Sequence, residues 1–198
     1  MLGKTEIRKK VRARVSAITD IDHRLARAAA ERAYEFINKL NLERGAKVGV
    51  FLSMKGREIE TSPLISLLQS ESGRYRVLVP RVEDSVTINF YAFDQSSPHR
   101  ISQYGIWEPL SPSSEAEVPE IIIVPGLAFD RKGGRVGHGK GFYDRYFERH
   151  KETIRVRAAF AYETQVFEEV PMDEFDYPMD ALITDQTVTV FSPLSLSY

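Results

Sequence analysis

Residues 120–147 read EIIIVPGLAFDRKGGRVGHGKGFYDRYF: an apolar run, a glycine-rich stretch, then a segment studded with aromatics. Ile121–Val124 is apolar at every position, not every second one. That is the pattern of a strand covered on both faces, as buried parallel strands are. A helix is predicted from about Gly141, carrying Tyr143, Tyr146 and Phe147.

The same alternation extends outward. Strands are predicted at KVGVFLS (47–53), RVLVPRV (76–82), TINFYAF (87–93) and VRAAFAY (156–162), with a closing pair, ALIT and VTVF, around Asp185-Gln186. Ile7, Val11, Val15 and Ile18 recur at helical spacing, and Lys4, Arg8 and Arg12 form a neighbouring stripe of that helix. Thr19 and Asp22 read as the capped start of a second helix carrying Leu25, Ala29, Phe36, Ile37 and Leu40. Ser62-Pro63 opens a third, with Leu64, Ile65, Leu67 and Leu68, stopping near Gly73. Strands alternating with helices give an α/β class with a mostly parallel sheet. In such sheets ligands bind beyond the carboxyl ends of strands.

The 198 residues fit one large domain or at most two small ones. The formal net charge of −1 supplies no field that would draw the chain to nucleic acid or to acidic lipid. Its charge is uneven, however: residues 1–14 hold six cations against Glu6 alone. There is no cysteine, so disulfides, thiolate metal sites and thiol nucleophiles are excluded. Apolar runs are far shorter than the ~20 residues that span a bilayer, and the first residues lack the apolar centre of a secretory signal. A basic, amphipathic transit peptide is the rival reading of that start. Glu6 and the direct run into globular sequence weigh against it, and a cytoplasmic location is expected.

GRVGHGK (134–140) satisfies the first seven positions of a P-loop, but Gly141 stands where a magnesium-binding Ser or Thr is required. The loop also begins well past the end of its strand. Phe142 likewise breaks a dinucleotide fingerprint at its third glycine. What survives is general physics. Alternating glycines let successive N–H groups face one concavity, and the following helix adds its positive end. Arg135 and Lys140 supply charge, and Asp144 is placed to hold a cation bridging phosphates. A plain glycine-rich turn with a first-turn carboxylate fits the same spacing. His138 has no metal-ligand partner at useful spacing, so a zinc site is rejected.

PGLAFDRKGGRVGHGKGFYDRYF (125–147) resembles the signature of the 5-formyltetrahydrofolate cyclo-ligase family. KTEIRKKVR (4–12), FLSMKGREIET (51–61) and GIWEP (105–109) agree in order. Val136 replaces the usual Leu, Phe142 replaces the first Tyr, and His138 sits where the family admits Arg, Tyr and others. The resemblance implies one domain over residues 1–198, with a three-layer α/β sandwich in which helices flank the sheet. It also implies conversion of 5-formyltetrahydrofolate to 5,10-methenyltetrahydrofolate with ATP and Mg2+. ADP and phosphate would be released.

By the same resemblance Arg135 and Lys140 contact the phosphates and act in catalysis. Lys4, Arg8, Val136, Gly137, His138, Gly139, Gly141, Phe142 and Tyr143 complete the nucleotide site, and Asp144 and Asp180 hold magnesium. Glu58 and Leu52 match folate contacts, Glu58 accepting paired hydrogen bonds from the pterin. Trp107 either stacks on a folate ring or packs in the core. The implied partners are small molecules, a reduced folate and ATP, with no nucleic acid or membrane, in a monomer or weak dimer. A non-catalytic folate or nucleotide binder of this fold is the alternative. An isomerase or acyl-transfer relative that needs no ATP is a third reading.

Overall fold

The computed structural model describes residues 3–20, 23–96, 98–103, 105, 107–110 and 115–194. Its centre is a seven-stranded sheet built from β1 (Ala46–Val50), β2 (Tyr75–Val82), β3 (Ile88–Ala92), β6 (Ile121–Val124), β9 (Val156–Ala161), β11 (Ala181–Thr184) and β12 (Val188–Val190). The order is β12-β11-β9-β6-β1-β2-β3. The five inner strands are parallel, and β3 and β12 run antiparallel at the two edges. Each of these strands lies where the sequence pattern places it, within two or three residues at the ends.

Side chains alternate across a strand, so a fully apolar strand feeds two cores at once. Ile121 and Ile123 face one core together with Val48, Val50, Ala158, Phe160, Ala181 and Ile183. Three helices cover that face: α1 (Lys4–Ser16), α2 (Arg24–Lys39) and α3 (Ser62–Ser70). Ile122 and Val124 face the other core with Ala159, Ala161 and Leu182, under α4 (Phe142–Arg149). The three-layer arrangement follows directly from that parity.

The helices begin close to their expected signals, with small shifts. For α2 the capping carboxylate is Asp20, which accepts from the N–H groups of Leu25 and Ala26 at 2.8 and 3.1 Å. Thr19 does not fill that role, and Asp22 lies outside the described residues. The N-cap of α3 is Thr61, one residue before Ser62. Its buried hydroxyl donates to the Phe51 carbonyl at 2.8 Å, tying the start of α3 to the end of β1.

Shorter strands escape the sequence pattern. β7 (Ala128–Asp130), β8 (Arg135–Val136) and β10 (Val166–Phe167) form a small sheet, and β4 (His99–Ile101) pairs with β5 (Trp107–Pro109). Two or three residues are too few for a periodicity to declare itself.

Gly49 lets the Phe90 ring lie directly against β1. A Cβ there would fall 2.8 Å from Phe90 Cε1 and 2.9 Å from Pro119 Cγ. Gly49→Val is therefore expected to cost roughly 1–3 kcal/mol through overpacking, read as a lower urea midpoint with an unchanged slope. An unaltered midpoint would show that this contact relaxes freely.

Candidate active site

Chain direction across the sheet reverses between β1 and β6. From β1 the chain goes to β2 on one side, while β6 leads to β9 and β11 on the other. The segments leaving these two neighbours part from each other, which opens a crevice beyond their carboxyl ends. A cavity of about 690 Å³ occupies that position. Phe51, Leu52, Met54 and Glu58 enter it after β1, and Pro125 enters it after β6.

The glycine loop forms another wall, and a buried polar frame fixes its shape. The Asp130 carboxylate accepts from the N–H groups of Lys132, Gly134 and Val170 at 2.8–2.9 Å. At Gly134 a Cβ would lie 2.5 Å from Asp130 Oδ2, so this close embrace requires glycine. Gln165, 1 % exposed, donates to the Gly126 and Leu127 carbonyls and accepts from Tyr162 N–H. Gly141 adopts the left-handed conformation at φ 64 and turns the chain into α4.

Charge converges on this cavity. Six cations line it (Lys4, Arg8, Arg12, Arg57, Arg135 and Lys140) against four carboxylates (Glu58, Asp144, Asp173 and Asp176). Such an excess suits a polyanionic ligand. α1 is fastened to the walls by its own cations. Arg8 Nε donates to the Gly137 carbonyl at 3.0 Å, and Lys4 Nζ lies 2.5 Å from both Asp173 and Asp176. Burial works against the charged form of Lys4, yet the two carboxylates hold its pKa above the ordinary lysine value.

Arg135 is buried on β8 and donates to Asp144 Oδ1 at 2.6 Å. Its Nε, also buried, has no hydrogen-bond partner among the described residues. An unsatisfied buried donor is costly, and an anion in the cavity would relieve it. Across the cavity His138 Nε2 lies 3.2 Å from Glu58 Oε1, while Glu58 Oε2 accepts from Met54 N–H at 2.9 Å. Tyr143 stands beside them. Burial first, then the negative charge of Glu58, pushes its phenol pKa upward, so the hydroxyl keeps its proton.

The cavity therefore gathers Lys4, Arg8, Leu52, Glu58, Arg135, Lys140, Asp144, Phe142, Tyr143 and residues 137–139 and 141 of the glycine loop. Three expected residues lie elsewhere. Asp180 is turned into the sheet, accepting from Arg157 N, Nε and Nη2 at 2.8, 2.9 and 3.0 Å and from Ser192 at 3.1 Å. It does not reach the cavity. Val136 is 1 % exposed and packs in the core, where a side chain cannot meet a nucleotide. Trp107 is 40 % exposed on β5 and lines a separate hollow of about 250 Å³ that shares Leu52 with the main cavity. It is neither a wall of the main cavity nor a core residue.

The charged residues of the lining that sequence reading left unassigned are Arg12, Arg57, Asp173 and Asp176. Arg12 shares a stripe with Lys4 and Arg8, so helical spacing does signal it. Nothing in the spacing of DEFD (173–176) does. Asp176 is brought in by tertiary contact, since the adjoining Tyr177 N–H donates to Asp144 Oδ1 at 3.3 Å.

Residues 1–185 match the model of the 5-formyltetrahydrofolate cyclo-ligase family. The chain belongs to that family. The cyclo-ligase of Haemophilus influenzae is 29% identical over 182 residues, covering 89% of this chain and 92% of that one. The Escherichia coli cyclo-ligase is 31% identical over 147 residues, covering 71% of this chain and 79% of its own. The NMR structure of Aquifex aeolicus 5,10-methenyltetrahydrofolate synthetase superposes with a TM-score of 0.75 at 29% identity. It covers 96% of this chain and 93% of the other. A synthetase from Mycoplasma pneumoniae shares the fold, with a TM-score of 0.70 at 18% identity.

Cyclo-ligases use ATP, and the cationic walls and glycine loop fit a triphosphate. No group of three or more potential metal ligands occurs among the described residues. That donor set suits magnesium only when phosphates and water supply most of its positions, as they commonly do. No helix among the described residues is long and apolar enough to cross a membrane.

Burial raises three phenols, one of them in the cavity wall. Tyr162 is pushed up to about 12, and Tyr143 and Tyr146 also move upward. Each favours the fold in its neutral form, so the stability is complete below the ordinary tyrosine value near ~10 and is lost as pH rises beyond it. Alkaline titration followed by tyrosinate absorbance and circular dichroism should show these phenols ionising only with unfolding. Normal ionisation of all nine tyrosines in a folded chain would contradict it.

Proposed function

We propose that this chain converts 5-formyltetrahydrofolate to 5,10-methenyltetrahydrofolate at the expense of ATP, in the cavity between the ends of β1 and β6. The observation that carries the reading is the meeting of Arg135, Lys140 and Asp144 with Glu58 in that one space. It joins a phosphate-facing wall to an acceptor suited to a pterin.

The formyl oxygen on N5 is a poor leaving group on an amide-like carbon. Transfer of the γ-phosphoryl group to that oxygen converts it into a phosphate ester and releases ADP. N10 then attacks the same carbon, the carbon–oxygen bond breaks, and phosphate leaves with its bonding electrons. The N10 proton is lost to give the methenyl bridge. Such a sequence asks for positioning and charge neutralisation, not for a covalent nucleophile.

Arg135 and Lys140 neutralise the phosphates during transfer, aided by Lys4 and Arg8 from α1. N–H groups between Gly137 and Gly141 line the same side, where glycine permits close approach. Glu58 takes the amino group and adjacent N–H of the pterin, and Leu52 supplies an apolar wall. Bound magnesium would offset charge on the β- and γ-phosphates, held by Asp144. Asp176 is the second carboxylate we assign to it, since it lines the cavity next to Tyr177, which bonds Asp144, and Asp180 does not reach the cavity.

Purified chain mixed with Mg-ATP and 5-formyltetrahydrofolate should develop the near-ultraviolet absorbance of the methenyl product. No change from a well-folded chain favours a binder without turnover, and product formed without ATP favours a different reaction. Lys140→Ala should lower turnover by about 10²–10³-fold, the scale of losing one charge-stabilising donor. Its unfolding free energy from urea titration should stay within ~0.5 kcal/mol of native, because the side chain is exposed.

The two candidate metal carboxylates separate cleanly. Asp176→Asn should raise the magnesium concentration needed for half-maximal rate. Asp180→Asn should leave that titration in place and cost stability, roughly 2 kcal/mol for a weakened, largely buried pair. The opposite pattern would return the metal to Asp180.

A further inference from the structure

We propose that the contact between His138 and Glu58 couples the two halves of the cavity, so that folate and nucleotide each strengthen binding of the other. This rests on the cyclo-ligase reading of the cavity and extends it to a chain-specific positioning residue.

His138 sits on the glycine loop between Gly137 and Gly139, the latter at φ 95, and its side chain is 33% exposed. Glu58 is on the opposite wall with a side chain only 6% exposed. One Glu58 oxygen is already committed to Met54 N–H, and the other is the one 3.2 Å from His138 Nε2. The contact is thus the sole bridge drawn between the pterin acceptor and the phosphate loop by hydrogen bonding among the described residues.

Both ligands contend with that bridge. A pterin offering an amino group and a neighbouring N–H to Glu58 needs both carboxylate oxygens, including the one His138 engages. A phosphate chain calls on Arg8 and on the N–H groups around Gly139. Arg8 now holds the loop through the Gly137 carbonyl, next to His138, so drawing Arg8 away re-aims the segment that carries the imidazole. Whichever ligand binds first breaks the bridge. The second then binds without that cost, and linkage makes the benefit equal in both directions. For one hydrogen bond to a carboxylate at a partly exposed imidazole, the benefit is roughly 3- to 10-fold in affinity.

The test is equilibrium binding, independent of turnover. The dissociation constant of the β,γ-imido analogue of ATP with Mg2+ is measured by calorimetry with and without saturating 5-formyltetrahydrofolate, and the reverse titration is made too. The native chain should show the same tightening, roughly 3- to 10-fold, in both directions. His138→Ala should bring the factor to about one, with an unchanged urea midpoint. His138→Gln keeps an N–H donor at similar reach and should retain most of the coupling. An equal factor in native chain and His138→Ala, or no tightening in the native chain, overturns the proposal while leaving the cyclo-ligase reading intact. Failure of the native chain to bind either ligand alone removes that reading and the coupling with it.

Discussion

The parallel pairing of β1 with β6 is the constraint on which the rest depends. Val48, Gly49 and Val50 stand beside Ile121, Ile122 and Ile123, and the two chains leave this pairing toward opposite halves of the sheet. No loop can close the gap between them without crossing the direction in which both are heading. The crevice is thus a product of connectivity, and the side chains that fill it decide its chemistry. Gly49 belongs to the same constraint, because the ring of Phe90 crosses the strand where any larger residue would push it away.

Holding a glycine-rich loop in one shape beside that crevice takes buried polar groups. Asp130 satisfies three backbone donors and Gln165 satisfies two carbonyls and one donor. Neither residue lines the cavity. They convert a segment with high backbone freedom into a fixed surface, so that little ordering remains when an anion arrives. The glycines confer closeness of approach and the frame beneath them confers rigidity.

The sequence made the main sheet legible because its strands are long enough to declare a pattern. IIIV cannot be a surface strand, and the alternation with helices leaves few arrangements open. The short strands β7, β8 and β10 were hidden, since their pairing is set by Asp130 and Gln165, whose partners lie up to 40 residues away. At the site, the expected residues of the contiguous signature other than the core residue Val136 meet at the cavity, because neighbours in sequence share a loop. Asp180 and Trp107 did not. Each lies in a short apolar context that reads alike whether the side chain faces a cavity, the sheet or solvent. Asp176, not Asp180, lines the cavity, brought there by the bond from its neighbour Tyr177 to Asp144, which no local pattern announces.

The fastening of α1 by Lys4 and Arg8 also bears on how the molecule comes into being. These two side chains, near the start of the chain, find their partners at residues 137, 173 and 176, separations of 129 to 172 positions. A chain emerging from the ribosome has the first wall of its cavity long before the last. Until residues 137–176 are made, α1 has its apolar stripe but no anchors for its charged one. Contacts of such long separation form late and slowly. The wall that α1 gives the cavity is accordingly slow to take its place.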